Sequence, residues 1–140
     1  MKIKYLMAIL LVFAVAGFVN AETFTPESGI FAYRDVENYT LEGLNFTVPV
    51  DYELQDGGDN FLSFKKENDT LNITVELNGT VDEVNSTNTT KASYTMLGSQ
   101  EGYLIDDMGN YTFSYFEDNY LITISSKDVS LIMGVMGKDY

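Results

Sequence analysis

The chain contains no cysteine, no histidine and no tryptophan. Without cysteine there is no disulfide framework, which secreted domains of this size often use, so packing alone must stabilise the fold. Histidine is the commonest general base and metal ligand, and its absence excludes Ser-His and Cys-His catalysis. We therefore predict no catalytic residues, no cofactor-binding residues and no metal ligands.

Basic residues are scarce as well. Eight lysines and arginines stand against 21 acidic residues, which gives the 140-residue chain a net charge of −13. Such a field repels phosphate groups and anionic lipid headgroups. We expect no nucleic-acid partner and no membrane contact beyond the N-terminal segment.

That N-terminal segment, residues 1–21, has the three parts of an export signal. Lys2 and Lys4 precede an uncharged apolar run at residues 5–19, and small Ala21 closes the segment. We expect cleavage after Ala21, which leaves 119 residues with a net charge of −15. The alternative is an uncleaved membrane anchor, because a spanning helix needs about 20 apolar residues. The predicted location is extracytoplasmic: secreted or associated with the cell envelope.

The mature chain is predicted to be a single domain. Residues 22–29 are polar and lack periodicity, so we interpret them as a flexible lead to an α+β domain at residues 30–140. Alternating apolar and polar residues indicate strands with one buried face. These strands are expected at residues 44–48, 71–77, 111–115 and 120–124, with others at 61–66, 102–105 and near 31–36. Short polar connections between them imply an antiparallel meander sheet of about five to seven strands.

The apolar period changes after Ser125. A helical stripe follows, formed by Val129, Ile132, Met133 and Met136. Ser125 and Asp128 resemble a capping box, and Gly137 can end the helix. We expect this C-terminal helix to pack on one face of the sheet. Residues 78–93 are too polar for a core element and are predicted to form a surface loop with one helical turn near residues 81–84.

Asn-x-Thr triplets form a strong statistical excess. Eight of the ten asparagines in the mature chain begin one, whereas its 13 threonines would give about one by chance. Polar alternation in a strand can mimic the motif, because its Asn and Thr share one face. Asparagine is disfavoured in strands, however. We interpret all eight as N-glycosylation sites: Asn38, Asn45, Asn68, Asn72, Asn78, Asn85, Asn88 and Asn110.

These acceptor sites differ in their expected access to a glycosyltransferase. Asn78, Asn85 and Asn88 lie in the predicted loop and are the most accessible. Sites within predicted strands, such as Asn45 and Asn72, would require modification before folding.

Acidic clusters are weaker candidates for sites. Residues 56–60 (DGGDN) have the oxygen donors and glycines of calcium sites but lack the spacing of an EF-hand, so we predict a turn. The pairs at residues 106–107 and 117–118 are predicted to be hairpin ends.

The sequence between residues 103 and 120 is rich in aromatic residues. Most of these side chains fall on the inward-facing positions of strands, so we assign them to the core rather than to a carbohydrate-stacking surface. Phe116 is out of phase with its neighbours and is predicted to be a surface contact. The full set is Tyr103, Tyr111, Phe113, Tyr115, Phe116 and Tyr120.

Several short motifs occur in a fixed order along the mature chain. They are Gly43-x-x-Phe46-x-Val48-Pro49-x-x-Tyr52, Gly102-Tyr103-Leu104, Tyr111-x-Phe113-x-Tyr115, Glu117-Asp118 and Leu121-Ile122-x-Ile124. This order, closed by a short helix, resembles small secreted proteins of methanogenic archaea. The resemblance implies an extracytoplasmic location and an α+β fold, and it implies no active site.

The predicted function is that of a noncatalytic extracytoplasmic or cell-envelope glycoprotein. It would act as a binding module for an envelope protein or polysaccharide. One alternative is a secreted hydrolase of extracellular polymers, which needs two carboxylates facing a cleft. Another is a surface module stabilised by calcium.

Overall fold

The computed structural model describes residues 22–138, and the predicted export signal lies outside them. In the described chain, ten strands form two antiparallel sheets and one helix follows them. The α+β class and the antiparallel arrangement are thereby confirmed. Among residues 22–138, no helix is long and apolar enough to cross a membrane.

The first sheet has three strands, in the order β1-β2-β3. Its strands are β1 (Thr23–Phe24), β2 (Val36–Leu41) and β3 (Leu44–Pro49). Glu42 and Gly43 join β2 to β3 with φ angles of 52° and 80°, as a two-residue hairpin turn requires. The strand predicted near residues 31–36 is not present. Hydrogen-bonded turns replace it and insert Phe31 into the core.

The second sheet has seven strands, in the order β4-β5-β6-β10-β9-β8-β7. It comprises two antiparallel meanders joined where β6 pairs with β10, so it differs from the single meander that was predicted. The strands are β4 (Glu53–Gly57), β5 (Phe61–Lys66), β6 (Asp69–Leu77), β7 (Thr90–Leu97), β8 (Gln100–Asp107), β9 (Asn110–Glu117) and β10 (Tyr120–Ser126).

The main core lies between the two sheets and the helix. Buried side chains from β2, β3, β5, β6, β9 and β10 meet there, together with those of helix α1 (Val129–Met136). Helix α1 contacts β3 and β10. The inner face of the large sheet is thus covered by the small sheet and the helix, and its outer face carries mainly polar side chains such as Asn72, Thr74 and Thr123.

Helix α1 is capped at both ends, by the Asp128 side chain at its N-terminus and by Gly137 in a left-handed conformation at its C-terminus. Asp128 is the N-cap residue, and its carboxylate accepts hydrogen bonds from the backbone amides of Ser130 and Leu131. The predicted capping box at Ser125 was therefore wrong by one turn, because Ser125 still belongs to β10. Gly137 ends the helix at a φ of 70°, as predicted.

Gly134 lies directly against the buried ring of Phe31. A Cβ added at Gly134 would overlap that ring, which is only 4% exposed. Alanine in a helix is favoured over glycine by about 1 kcal/mol, whereas an extra methyl group in a packed core costs about 1–3 kcal/mol. We expect Gly134→Ala to lower the free energy of unfolding by about 1 kcal/mol, measured by urea denaturation.

The control is Gly134→Ala combined with Phe31→Leu. The smaller leucine should make the added methyl group less costly than it is beside phenylalanine. A Gly134→Ala variant more stable than the parent protein would contradict this packing.

Candidate functional site

All eight sequon asparagines are exposed in the folded chain. They lie on the outer surface of both sheets and in the connections between strands, where an attached sugar would point into solvent. The asparagines without a sequon, Asn60 and Asn119, are also exposed. These two therefore serve as internal controls for any test of modification.

Two sequons face each other across the hairpin of β2 and β3. Asn38 is paired with Thr47, and Thr40 is paired with Asn45. The Thr47 hydroxyl donates to Asn38 Oδ1 at 2.9 Å, and the Thr40 hydroxyl donates to Asn45 Oδ1 at 2.8 Å. Each threonine thus binds the asparagine of the other triplet. Both bonds are accepted by the amide oxygen. Neither involves the amide nitrogen, to which a sugar would be attached.

Three further sequons converge at one end of the large sheet. Asn68, Asn72 and Asn110 line an open depression of about 330 Å³, together with Thr70, Thr112 and Ser125. The Nδ2 atom of Asn110 donates to the backbone oxygen of Asp107 at 3.2 Å. In the folded protein, the nitrogen of Asn110 is therefore engaged in a hydrogen bond.

The remaining sequons lie in the connection between β6 and β7, residues 78–89, which crosses the outer face of the large sheet. The Tyr103 hydroxyl donates to the backbone oxygen of Val84 at 3.0 Å and accepts from its amide at 2.9 Å. Gly79 packs beside Leu121. Residues 81–84 form no helical turn, contrary to the prediction.

The predicted aromatic core is correct for most of its members. Phe113 and Tyr115 are buried in the main core, and Tyr111 and Tyr120 pack against it. Tyr103 is also buried, but on the opposite face, beneath the 78–89 connection. Phe116 is 53% exposed, as predicted.

Asp69 organises a hydrogen-bond network that the sequence did not indicate. Its carboxylate accepts from the hydroxyl groups of Ser126 at 2.6 Å and Tyr52 at 2.7 Å, and from the backbone amide of Lys127 at 2.9 Å. The network joins β6 to Tyr52 in the connection between β3 and β4, to the last residue of β10 and to Lys127, which follows it. Burial would raise the pKa of Asp69, but these hydrogen bonds outweigh it and hold the pKa below its usual range.

A second carboxylate, Asp51, is paired with two cations. Its distances to Lys66 Nζ and to an Arg34 guanidinium nitrogen are 2.8 and 3.3 Å. Burial acts to raise the pKa of Asp51, but the hydrogen bond and charge of Lys66 and the charge of Arg34 lower it. Asp51 and Asp69 are therefore ionised at neutral pH, and neither has the protonated form that a general acid requires.

The acidic clusters form turns in the fold. The DGGDN segment closes the β4–β5 hairpin through a hydrogen bond from the Gly58 amide to the Phe61 oxygen at 2.9 Å. Asp106 and Glu117 lie at the ends of the β8–β9 and β9–β10 hairpins, as predicted. Within residues 22–138, no three Asp or Glu side chains come together as a metal site would need.

The fold and the surface define a class: an acidic, cysteine-free α+β domain built on two antiparallel sheets, with Asn-x-Thr triplets over its exposed surface. No protein-family model, no curated protein and no solved structure matches the chain.

Proposed function

We propose that the protein is a noncatalytic extracytoplasmic or cell-envelope glycoprotein that binds an envelope protein or polysaccharide. The observation that carries this proposal is that eight of the ten asparagines in the mature chain begin a sequon and that all eight are exposed. The export signal at residues 1–21 and the likeness to archaeal secreted proteins belong to the same proposal.

The arrangement of the acceptors supports the glycoprotein proposal in a second way. They occur on the small sheet, on the outer face of the large sheet and in the 78–89 connection, so sugars would cover several surfaces without entering the core. The hydrolase alternative would require a carboxyl group with a raised pKa, and the two well-connected carboxylates, Asp51 and Asp69, are shifted the other way. The calcium alternative would require a cluster of oxygen ligands.

Glycopeptide mapping of the native protein tests this proposal. The protein is purified separately from the envelope fraction and the medium of its own host, and each asparagine is assayed for added sugar mass. We expect modification at the sequons, highest at Asn78, Asn85 and Asn88, and none at Asn60 and Asn119. Eight unmodified sequons in both fractions would overturn the glycoprotein proposal.

A pair of variants tests whether the triplet itself directs the modification. Thr80 completes the Asn78 sequon and is exposed. Because serine also completes a sequon, Thr80→Ser should keep the sugar at Asn78 and Thr80→Ala should abolish it. Retention of sugar in the alanine variant would show that modification follows exposure rather than the motif.

A further inference from the structure

The two edges of the large sheet are built differently. Edge strand β4 is short, has a register shift between Leu54 and Asp56, and carries acidic side chains. These features discourage further strand pairing. The other edge strand, β7, keeps an unbroken register from Thr90 to Leu97, and Lys91 is its one charged residue. Edge β7 therefore lacks the protection that β4 has.

The 78–89 connection covers only the first half of the β7 edge. Ser86 Oγ accepts from the Ala92 amide at 3.0 Å and donates to the Ala92 oxygen at 3.2 Å. Thr87 also bonds both groups of Thr90: its hydroxyl oxygen accepts from the Thr90 amide at 3.0 Å, and its backbone amide donates to the Thr90 oxygen at 2.7 Å. The backbone groups of Thr90 and Ala92 thus point away from β8 and are already satisfied.

The second half of the edge is open. Backbone amides and oxygens alternate in direction along a strand, so those of Tyr94 and Met96 point to the same edge as those of Ala92. In the part of the chain that the structure describes, no connecting segment bonds to these groups. An edge with two outward amides and two outward oxygens is a template for one short added strand.

Apolar side chains are exposed beside this open edge. Tyr94 and Met96 are each 57% exposed, and Phe116 is 53% exposed. Tyr94 and Phe116, with Val81, line a depression of about 310 Å³ on the outer face. The Tyr94 ring packs on the buried Tyr103 ring at a centroid distance of 4.8 Å, which holds it in place. An exposed patch of this kind is typical of an interaction surface.

The charge around the patch is acidic. Glu101 is paired with Met96 across β7 and β8 and lines the depression, which has no lysine or arginine in its lining. Desolvation, the charge of Glu83 and a hydrogen bond to it raise the pKa of Tyr94. Carboxylates next to exposed aromatic rings attract a lysine or arginine side chain. A second copy of this chain would bring the same acidic patch and another net charge of −13, which opposes self-pairing.

We propose that an extended, basic segment of a partner protein docks at the open half of β7. The segment adds a strand at Tyr94–Met96, and a lysine or arginine of that segment lies over Tyr94 and Phe116 beside Glu101. Main-chain hydrogen bonds to the open edge contribute affinity, and the acidic patch favours a basic segment over an acidic one. This inference rests on the binding activity of the proposed function and names its site. It does not depend on glycosylation.

Isothermal titration of the purified protein with blocked eight-residue peptides tests the docking site. The probe alternates lysine and valine, and two matched peptides isolate the contributions of charge and backbone. In one, glutamate replaces lysine; in the other, two central amides are N-methylated, which blocks strand pairing and keeps the charge. We expect both changes to weaken binding by about tenfold or more.

Variants locate the peptide on the protein. Met96→Pro removes one outward amide without removing a bond to β8, and Glu101→Gln removes the facing charge; each should weaken binding of the lysine peptide by about fivefold or more. Glu53→Gln on the protected edge β4 is the control and should leave binding unchanged. Circular dichroism shows whether the proline variant is folded, and Glu101→Gln tests the site independently of it.

Three outcomes would overturn this proposal. They are no binding of the lysine peptide, equal binding of the lysine and glutamate peptides, and self-association in sedimentation that Met96→Pro abolishes. The last outcome would identify a second copy as the occupant. None of the three would change the glycopeptide map, so failure of the docking site is distinguishable from failure of the glycoprotein proposal.

Discussion

Replacing Phe113 by alanine is expected to lower the free energy of unfolding by about 3–5 kcal/mol. The Phe113 side chain is 0% exposed at the centre of the large sheet, and its ring stacks on Tyr115 at a centroid distance of 5.9 Å. Its removal leaves a cavity between the sheets that the surrounding side chains fill only in part. Guanidinium denaturation followed by circular dichroism measures the loss.

Phe116→Ala is the matched control, because Phe116 lies in the same strand but on the outer face. We expect its free energy of unfolding to stay within about 0.5 kcal/mol of the parent value. Similar losses for the Phe113 and Phe116 variants would show that the register of β9 differs from the one described.

Replacing Asp69 by asparagine is expected to lower the free energy of unfolding by about 3 kcal/mol. The carboxylate accepts three hydrogen bonds, from Tyr52, Ser126 and Lys127, and bonds to a charged group contribute about 1.5–3 kcal/mol each. Asparagine keeps one acceptor oxygen and presents an amide group to the remaining donors. Asp59→Asn, at an exposed turn position, is the control and should change stability little.

The Asp69 contribution should also depend on pH in a defined direction. Because its pKa is lowered in the folded protein, its stabilising effect is fully present above the pKa of an unfolded aspartate, about 3.9. It is lost as pH falls through the lower folded value. The stability difference between the parent protein and Asp69→Asn should therefore be constant near neutral pH and shrink below about pH 4. A difference that grows in acid would contradict the network.

Strands with one buried face could be predicted from the sequence, and they make up much of the large sheet. The predicted bounds of the strand at residues 61–66 match β5, and those at 44–48 and 120–124 fall within β3 and β10. In these strands the alternation follows directly from contact with the core.

Strands β4 and β7 were missed because they lie at the edges of the sheet. In β7, Ser93 is exposed and Thr95 is half-buried although both lie on the inward-facing side of the strand, so the sequence has no apolar alternation there. In β4, the register shift breaks the period of two.

The Asn-x-Thr triplets could be recognised in the sequence because the motif is local. Their mutual arrangement was not, since the pairing of Asn38 with Thr47 depends on hairpin register. The Asp69 network joins residues that are distant along the chain, and local patterns carry no information about such contacts. The burial of Tyr103 likewise depends on the 78–89 connection, which no periodicity reveals.

The pairing of β6 with β10 sets the order in which the protein can fold during synthesis. Ile73 in β6 needs Ile124 in β10 as its neighbour, and strands β7, β8 and β9 are all translated between them. Such sequence-distant pairing is slow to form, so β6 stays open on one side until the ribosome has passed β10. Asn72 lies opposite Ser125 of β10 in the finished sheet. In the proposed glycoprotein, a transferase can therefore reach Asn72 during this delay, before β10 pairs with β6.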